Sequence, residues 1–483
     1  MHSPPIRKYP QTYDYGFFGD DPLSPTFLYC VDKNGKTISN YVDPATASTL
    51  IQSKLGSGKR YYFGPTAISL DPYQSVNIGA GITTVVALNY TGLSNVDIEC
   101  HPKSVLSLKD GEYSGGVSGY VFANYMSNCS YIHFHNVSFD GRSAHITGAD
   151  NSGFIFNDNF SGAGHIVDRC TIHDSIYATY GDPNEYKSGT LSPDTEWAVQ
   201  YTNNHVYNCT YGLCLHNGPG GALFDGNFLN NIVGSAIWVD SCNEIIIQNN
   251  MIRLAHNPIY IMDGVWYCNI GNNDIGQQPS LAAAIQIVKG GEAKPECAYV
   301  NIHDNIIHGF RYGINNECSV GIIARNNIFI QGAATDLQAF YGTGRIDGGG
   351  NVGGGSILRG EIRAYGGTIA TLTENAFNSI NNPFGQNVAL LSLDIYVATG
   401  ATATSPNIDC GIGASATTDY VTLFDDLPGE TIGLYNSKIA TPGTQTQPIL
   451  WQTGAGNRYL NMSIKDAAAT GMVATYVATV MGL

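Results

Sequence analysis

Two carboxylates, Asp240 and Asp263, close similar phrases one repeat apart: Ile237-Trp238-Val239-Asp240 and Ile259-Tyr260-Ile261-Met262-Asp263. The flanking phrases, Leu213-Cys214-Leu215-His216 and Ile285-Gln286-Ile287-Val288-Lys289, put His216 and Lys289 on either side. Paired carboxylates suit hydrolysis of a glycosidic bond, in which one protonates the leaving oxygen and the other activates water or attacks. Two such groups close together cannot both ionise cheaply, which keeps one protonated. Trp238 and Tyr260 offer flat faces for sugar rings, and Gln286 follows them in the same outward column. Asp240 and Asp263 are therefore the expected catalytic pair, with His216 and Lys289 beside them. The plainer alternative makes the two aspartates turn residues that accept backbone hydrogen bonds. It also buries Trp238 under a loop and leaves Lys289 and His216 as satisfied surface groups.

The chemistry requires residues some 23 positions apart to lie side by side, and a repeat supplies this. Asn204, Asn227, Asn250, Asn273, Asn305 and Asn327 each follow Asn, Asp or Gly, with an apolar residue two places later. Their spacings are 23, 23, 23, 32 and 22. Weaker copies stand at His135-Asn136-Val137 and Arg169-Cys170-Thr171. Alternation of period two in Ala236-Ile237-Trp238-Val239 and Ile259-Tyr260-Ile261 argues for strands rather than helices. Three short strands and three turns fit one repeat, and such a unit buries its inner face only by stacking. The expected fold is all-β: a right-handed parallel β-helix over residues 43–355, with an asparagine ladder inside one turn. Stacked coils about 4.8 Å apart, with a one-residue offset, set Asp240 and Asp263 about 5–9 Å apart, which admits retaining and inverting chemistry alike.

Pro44–Leu55 reads as a short helix with Asp43 as its N-cap, covering the first coil. Residues 1–42 read as an N-terminal adaptor. The glycine-rich stretch at 348–355 ends the repeat, and alternating segments such as Leu391–Val397 and Tyr459–Ile464 make residues 356–483 an antiparallel β-sandwich. A second column, two places before each key asparagine, carries Asp168, Thr202, Asp225, Gln248, Gly271, His303 and Arg325. Asp225 is a secondary binding candidate from that column. Tyr180 is another, from the insertion between Tyr177 and Trp197, since long loops in repeats often wall a cleft.

Composition narrows the partners. Charged residues make up only 13%, with 57 Gly and 30 Tyr, as expected of a turn-rich β protein. The net charge is −16 and no cluster of Lys or Arg occurs, which argues against nucleic acid. No apolar run approaches a membrane span, and the first residues lack a signal-peptide layout. The 11 cysteines show no CxxC pair and read as buried free thiols, which points to assembly in a reducing compartment.

The helix followed by Lys59-Arg60-Tyr61-Tyr62-Phe63-Gly64-Pro65 resembles the start of pectate-lyase-like β-helices in phage tailspikes. Residues 356–483 resemble the jelly-roll modules that end many phage fibres. These resemblances imply a polysaccharide substrate, a homotrimer, assembly in the bacterial cytoplasm and a place on the virion tail. The order Asp240, Asp263, Lys289 is similar to the site of polygalacturonases, although the coils hold no Asp-Asp doublet or Gly-His-Gly. Tyr180-Gly181-Asp182-Pro183-Asn184-Glu185 faintly resembles a phrase of alginate epimerases, with Asn184 in place of its histidine. Three functions are open at this point. An endo-acting glycoside hydrolase needs no metal or cofactor. A lyase or C5-epimerase would use Lys289, His216 or a tyrosine as base, with Ca²⁺ then expected. A non-catalytic receptor-binding fibre would keep only the aromatic residues.

Overall fold

The computed structural model describes residues 13–21, 25–39, 46–79, 82–112, 120–147, 151–157, 164–181, 199–216, 221–276, 283–290, 295–330, 338–342, 346–347, 350–351, 362–369, 377–383, 387–402, 406–416, 423–428, 431, 433–436, 449–452, 459–465 and 472–482. Two compact units make up the chain, Met1–Arg345 and Ile346–Leu483.

The first unit is a right-handed parallel β-helix, the hand that parallel crossovers take almost without exception. Its first sheet stacks Arg60–Phe63, Ser94–Cys100, Ser130–His135, His165–Asp168 and Val199–Thr202. It continues through Ala222–Asp225, Asn243–Gln248, Trp266–Gly271, Ala298–His303 and Ile322–Arg325. The other two faces run together, because Phe228–Asp240 and Met251–Met262 are long strands that turn a corner. Asn231 and Leu254, at φ 53 and 51, supply that bend. Inside, Ile237, Val239, Ile259, Ile261, Ile285 and Ile287 stack from rung to rung with no exposure.

The asparagine ladder explains the repeat. Nδ2 of Asn204, Asn227, Asn250, Asn273 and Asn305 donates to Oδ1 of the next member at 2.9 Å. The backbone N–H groups of the same residues donate to that same oxygen. Each Nδ2 also donates to a carbonyl on the coil before it, such as Val167, Tyr201 and Phe224. A primary amide has the two donors and one acceptor this pattern consumes, and a buried amide must be satisfied. Cys170 begins the ladder through its N–H on Asn204 Oδ1. The residue before each member is left-handed, φ 54–56 at Asn203, Asn249, Asn272, Asp304 and Asn326, and φ 67 at Gly226. Only Gly, Asn and Asp take that conformation readily, which is why they precede the key asparagine.

The capping helix is shorter than its sequence pattern. It spans Ala47–Gln52 and starts from Thr46 without a side-chain cap; Asp43 and Pro44 lie outside the described residues. Gln52 pairs with the strand edge in the manner of a peptide: Oε1 accepts from the N–H of Asn89 and Nε2 donates to its carbonyl. An edge that would otherwise template another chain is thereby partly closed. The described part of the expected adaptor also joins the helix. Tyr15–Gly19 lies parallel to Arg60–Phe63 and antiparallel to Leu28–Asp32, with Phe17 and Phe18 buried. All 11 cysteines are buried, and none is in a disulfide.

In the second unit the strand order of one sheet is Ile362–Thr368, Val473–Gly482, Val388–Thr399, Gly433–Asn436, with Ile449–Trp451 also beside Val388–Thr399. The other runs Phe377–Asn381, Tyr459–Lys465, Asn407–Gly413, Phe424–Pro428. All pairings are antiparallel. Leu390, Leu393, Ile395 and Val480 from the first sheet share a core with Ile408, Leu460, Met462 and Ile464 from the second. This is an antiparallel β-sandwich.

Candidate active site

Each coil presents one outward position between two buried aliphatic ones, and the register fixes what stacks there. Cys214, Trp238, Tyr260 and Gln286 are consecutive neighbours, and Asn315 and Tyr341 extend the column. Upstream, Tyr125, Phe156 and Tyr180 occupy it. Rings also meet across columns: Tyr177 stacks on Tyr211 at 4.7 Å, and Tyr211 lies 5.7 Å from Trp238. Trp238 meets Tyr260 edge-on at 5.9 Å. A continuous aromatic surface therefore covers this outer face, with Val86, Phe122, Tyr125, Phe156, Tyr177, Tyr180 and Cys214 buried in it.

His216 and Asp240 are register partners two places further on. His216 is 1% and Asp240 2% exposed, although both sit on the outward side. Rather than a surface histidine, His216 is wedged between Tyr180 and Trp238, with ring centroids 6.0 and 4.5 Å away. Its Nδ1 stands 3.6 Å from Asp240 Oδ2, beyond hydrogen-bond length. Ser241 Oγ donates to Asp240 Oδ1 at 2.8 Å. Both ring nitrogens of His216 and Nε1 of Trp238 are buried without a hydrogen-bond partner among the described residues. Three such atoms on two rings in contact stand out, because buried polar groups are nearly always satisfied.

Asp263 does not continue the column of Asp240; Met262 does. The aspartate falls one place later, in the turn, left-handed at φ 49 and 1% exposed. Its Oδ1 accepts the N–H of Gly290 at 2.5 Å. A side chain at Gly290 would place Cβ 2.5 Å from Asp263 Oδ2 and push the carboxylate from its place. Lys289 is paired with Glu296, Nζ to Oε1 3.3 Å. Gln286 Nε2 donates to Asn257 Oδ1 at 3.1 Å. Asp225 lies on the first sheet, where Oδ1 accepts from Asn249 Nδ2; it belongs to a different face from Asp240. Tyr180 does join the cluster, while Asp182, Asn184 and the rest of that insertion up to residue 198 lie outside the described residues.

Tyr260 connects the carboxylates. Burial first, then the charges of Glu317, Asp263 and Asp240, push its phenol above the ordinary value. Glu317 is a further acid at this site. It follows Asn315-Asn316, its N–H donates to the carbonyl of Ile287, and Oε1 accepts from Asn315 Nδ2 at 2.9 Å. Extending the strand column by one coil, across 29 residues from Ile285 to Ile314, would have found it.

No family model matches the chain, and no curated protein matches its sequence. Among solved structures it is similar to the A-module of the Azotobacter vinelandii mannuronan C-5 epimerase AlgE6, at 14% identity over 63% of this chain and 94% of that one, TM-score 0.34. It is also similar to endo-xylogalacturonan hydrolase from Aspergillus tubingensis, at 11% identity over 65% and 90%, TM-score 0.44. A third is a double mutant of the tailspike protein of E. coli bacteriophage HK620, at 11% identity over 94% and 92%, TM-score 0.38.

Proposed function

We propose that the protein is an endo-acting polysaccharide depolymerase, a glycoside hydrolase whose substrate lies along the Trp238–Tyr260–Gln286 column. The observation that carries this reading is the set of polar atoms without a partner among the described residues, His216 Nδ1 and Nε2 and Trp238 Nε1, on rings next to aromatic faces, with His216 beside Asp240. Sugar hydroxyls supply the missing partners, and sugar rings stack on the aromatic surface. Asp240, beside His216 and hydrogen-bonded by Ser241, is the proton donor to the glycosidic oxygen. Asp263, held by the backbone N–H of Gly290, is the carboxylate that takes a proton from the attacking water. The C–O bond breaks, water adds at the anomeric carbon, and one new reducing end forms per cut.

A second reading has its own observation. An imidazole beside a carboxylate, with neither nitrogen bonded among the described residues, is also suited to removing the C5 proton of a uronate, as in a lyase or epimerase. Digestion of a panel of bacterial capsular and matrix polysaccharides separates the two. Hydrolysis yields reducing ends without ultraviolet absorbance, elimination yields an absorbing unsaturated end, and a pure adhesin yields neither.

We further propose a jelly-roll connectivity for the second unit, supported by its strand order of first–eighth–third–sixth against second–seventh–fourth–fifth when Ile449–Trp451 is set aside. A homotrimer on a virion tail completes the reading. Its support is the exposed apolar row of Ile306, Ile328 and Ile330 on adjacent rungs, with Ile323 close in sequence.

A further inference from the structure

We propose that the outer face of the first sheet carries a binding site for a divalent transition-metal ion of the zinc class, formed by Asp97, His133 and His135. One ligand atom of each lies within 4.8 Å of the others. Asp97 and His133 are register neighbours on adjacent rungs, and His135 is two places along the same strand, hence on the same face. The site is on a different sheet from Asp240 and does not depend on the catalytic reading.

The hydrogen bonds define the ligand atoms. His133 Nε2 lies 3.1 Å from the carbonyl of Gly164. A carbonyl only accepts, so Nε2 carries the proton. In the neutral ring Nδ1 is then a bare lone pair, yet it points at Asp97 Oδ1 from 2.9 Å. With Nε2 turned to the carbonyl, Nδ1 and Oδ1 share one cation, either a second proton on the ring or a metal ion. His135 Nδ1 is likewise buried without a hydrogen-bond partner, and it stands 3.7 Å from Asp168 Oδ2. An imidazole whose far N–H is held by a backbone carbonyl is the usual outer support of a metal-bound histidine. Arg60 Nε, 3.3 Å from Asp97 Oδ2, holds the other carboxylate oxygen and leaves Oδ1 to the ion. Asp168, fixed by Thr202, Asn203 and Arg169, sits beside His135 as a further negative charge. Two imidazoles and one carboxylate suit zinc or its first-row neighbours. Calcium wants six or more oxygens and is excluded by the donor set.

The ligands come from two successive early rungs, Ser94–Cys100 and Ser130–His135, so the ion acts as a staple between them. Because the ion binds the folded face, it stabilises folding as its concentration rises above the dissociation constant. The test is calorimetric titration of chelator-stripped full-length protein with ZnCl₂, with Co²⁺ absorption as a second measurement. The expected result is one ion per chain and a melting temperature raised by several degrees. Binding and shift are both lost in H135A and D97N and kept in H173A, a control in the separate Asp140–His173–Asp174 cluster. No stoichiometric binding by the wild type, or undiminished binding by a folded H135A, overturns the proposal. Should H135A fail to fold, Co²⁺ on the wild type decides: an intense four- or five-coordinate spectrum supports the site, and the weak spectrum of aqueous Co²⁺ overturns it.

Discussion

His216 and Asp240 form a buried acid–imidazole pair, the imidazole held by rings and the carboxylate by the Ser241 hydroxyl. The aromatic partner should govern affinity and the carboxylate should govern rate. Trp238→Ala is expected to weaken oligosaccharide binding about tenfold, since an aromatic contact contributes on the order of 1 kcal/mol beyond its buried area; isothermal titration reads this, and unchanged affinity would move the substrate off the column. Asp240, Trp238, Tyr260 and His216 were legible in the sequence because strand alternation alone decides which of them face outward. The one-residue offset of Asp263 from Asp240 was legible too, whereas its left-handed backbone was not, because alternation does not mark a turn conformation. Glu317 was missed because its coil is longer than the repeat. Lys289 shows another limit, since its partner Glu296 comes from a turn with no periodic signature. The hydrogen bond from Ser319 first, with further donors around it, pulls the Glu296 carboxyl down to about 2. The stabilisation from this anchored charge is complete above the ordinary carboxylate value of 4.5 and is lost as pH falls through about 2. NMR titration should place the Glu296 midpoint near 2, and higher in Ser319→Ala.

At the scale of the element, the ladder is where sequence and structure agree most closely. The key asparagine marks an amide satisfied on three sides, and the residue before it marks a left-handed backbone. Both demands are local and chemical, so they leave letters in the sequence. The capping helix is different. Asp43 and Pro44, read as its start, lie outside the described residues, and the described turns are held by burial of Ala47 and Ile51 and by Gln52 on the edge of Asn89, contacts that leave no local signal in the sequence. Asn250→Ala removes the acceptor of Asn227 N–H and Nδ2 and leaves them buried. An expected loss of about 2–6 kcal/mol follows, since each of the two stranded buried donors costs about 1–3 kcal/mol. Urea unfolding of the variant checks it, and a loss below about 0.5 kcal/mol would mean that stacking of the aliphatic core alone holds the coils.

For the whole molecule, two units with separate cores should unfold in two calorimetric transitions. Light scattering should give three times the chain mass of 51.7 kDa; a monomer would leave the exposed isoleucine row without the partner proposed for it. The aromatic face and the buried carboxylate need the coils to stay in register, so fold and proposed chemistry stand together. The measurement that bears most directly on that union is reducing-end release by wild type and Asp240→Asn on the polysaccharide that the wild type cleaves, with binding followed in parallel. Loss of an acid–base group is expected to lower the rate by about 10²–10⁴-fold while affinity is kept. Cleavage by Asp240→Asn at the wild-type rate would contradict the assignment of this face as the site of chemistry.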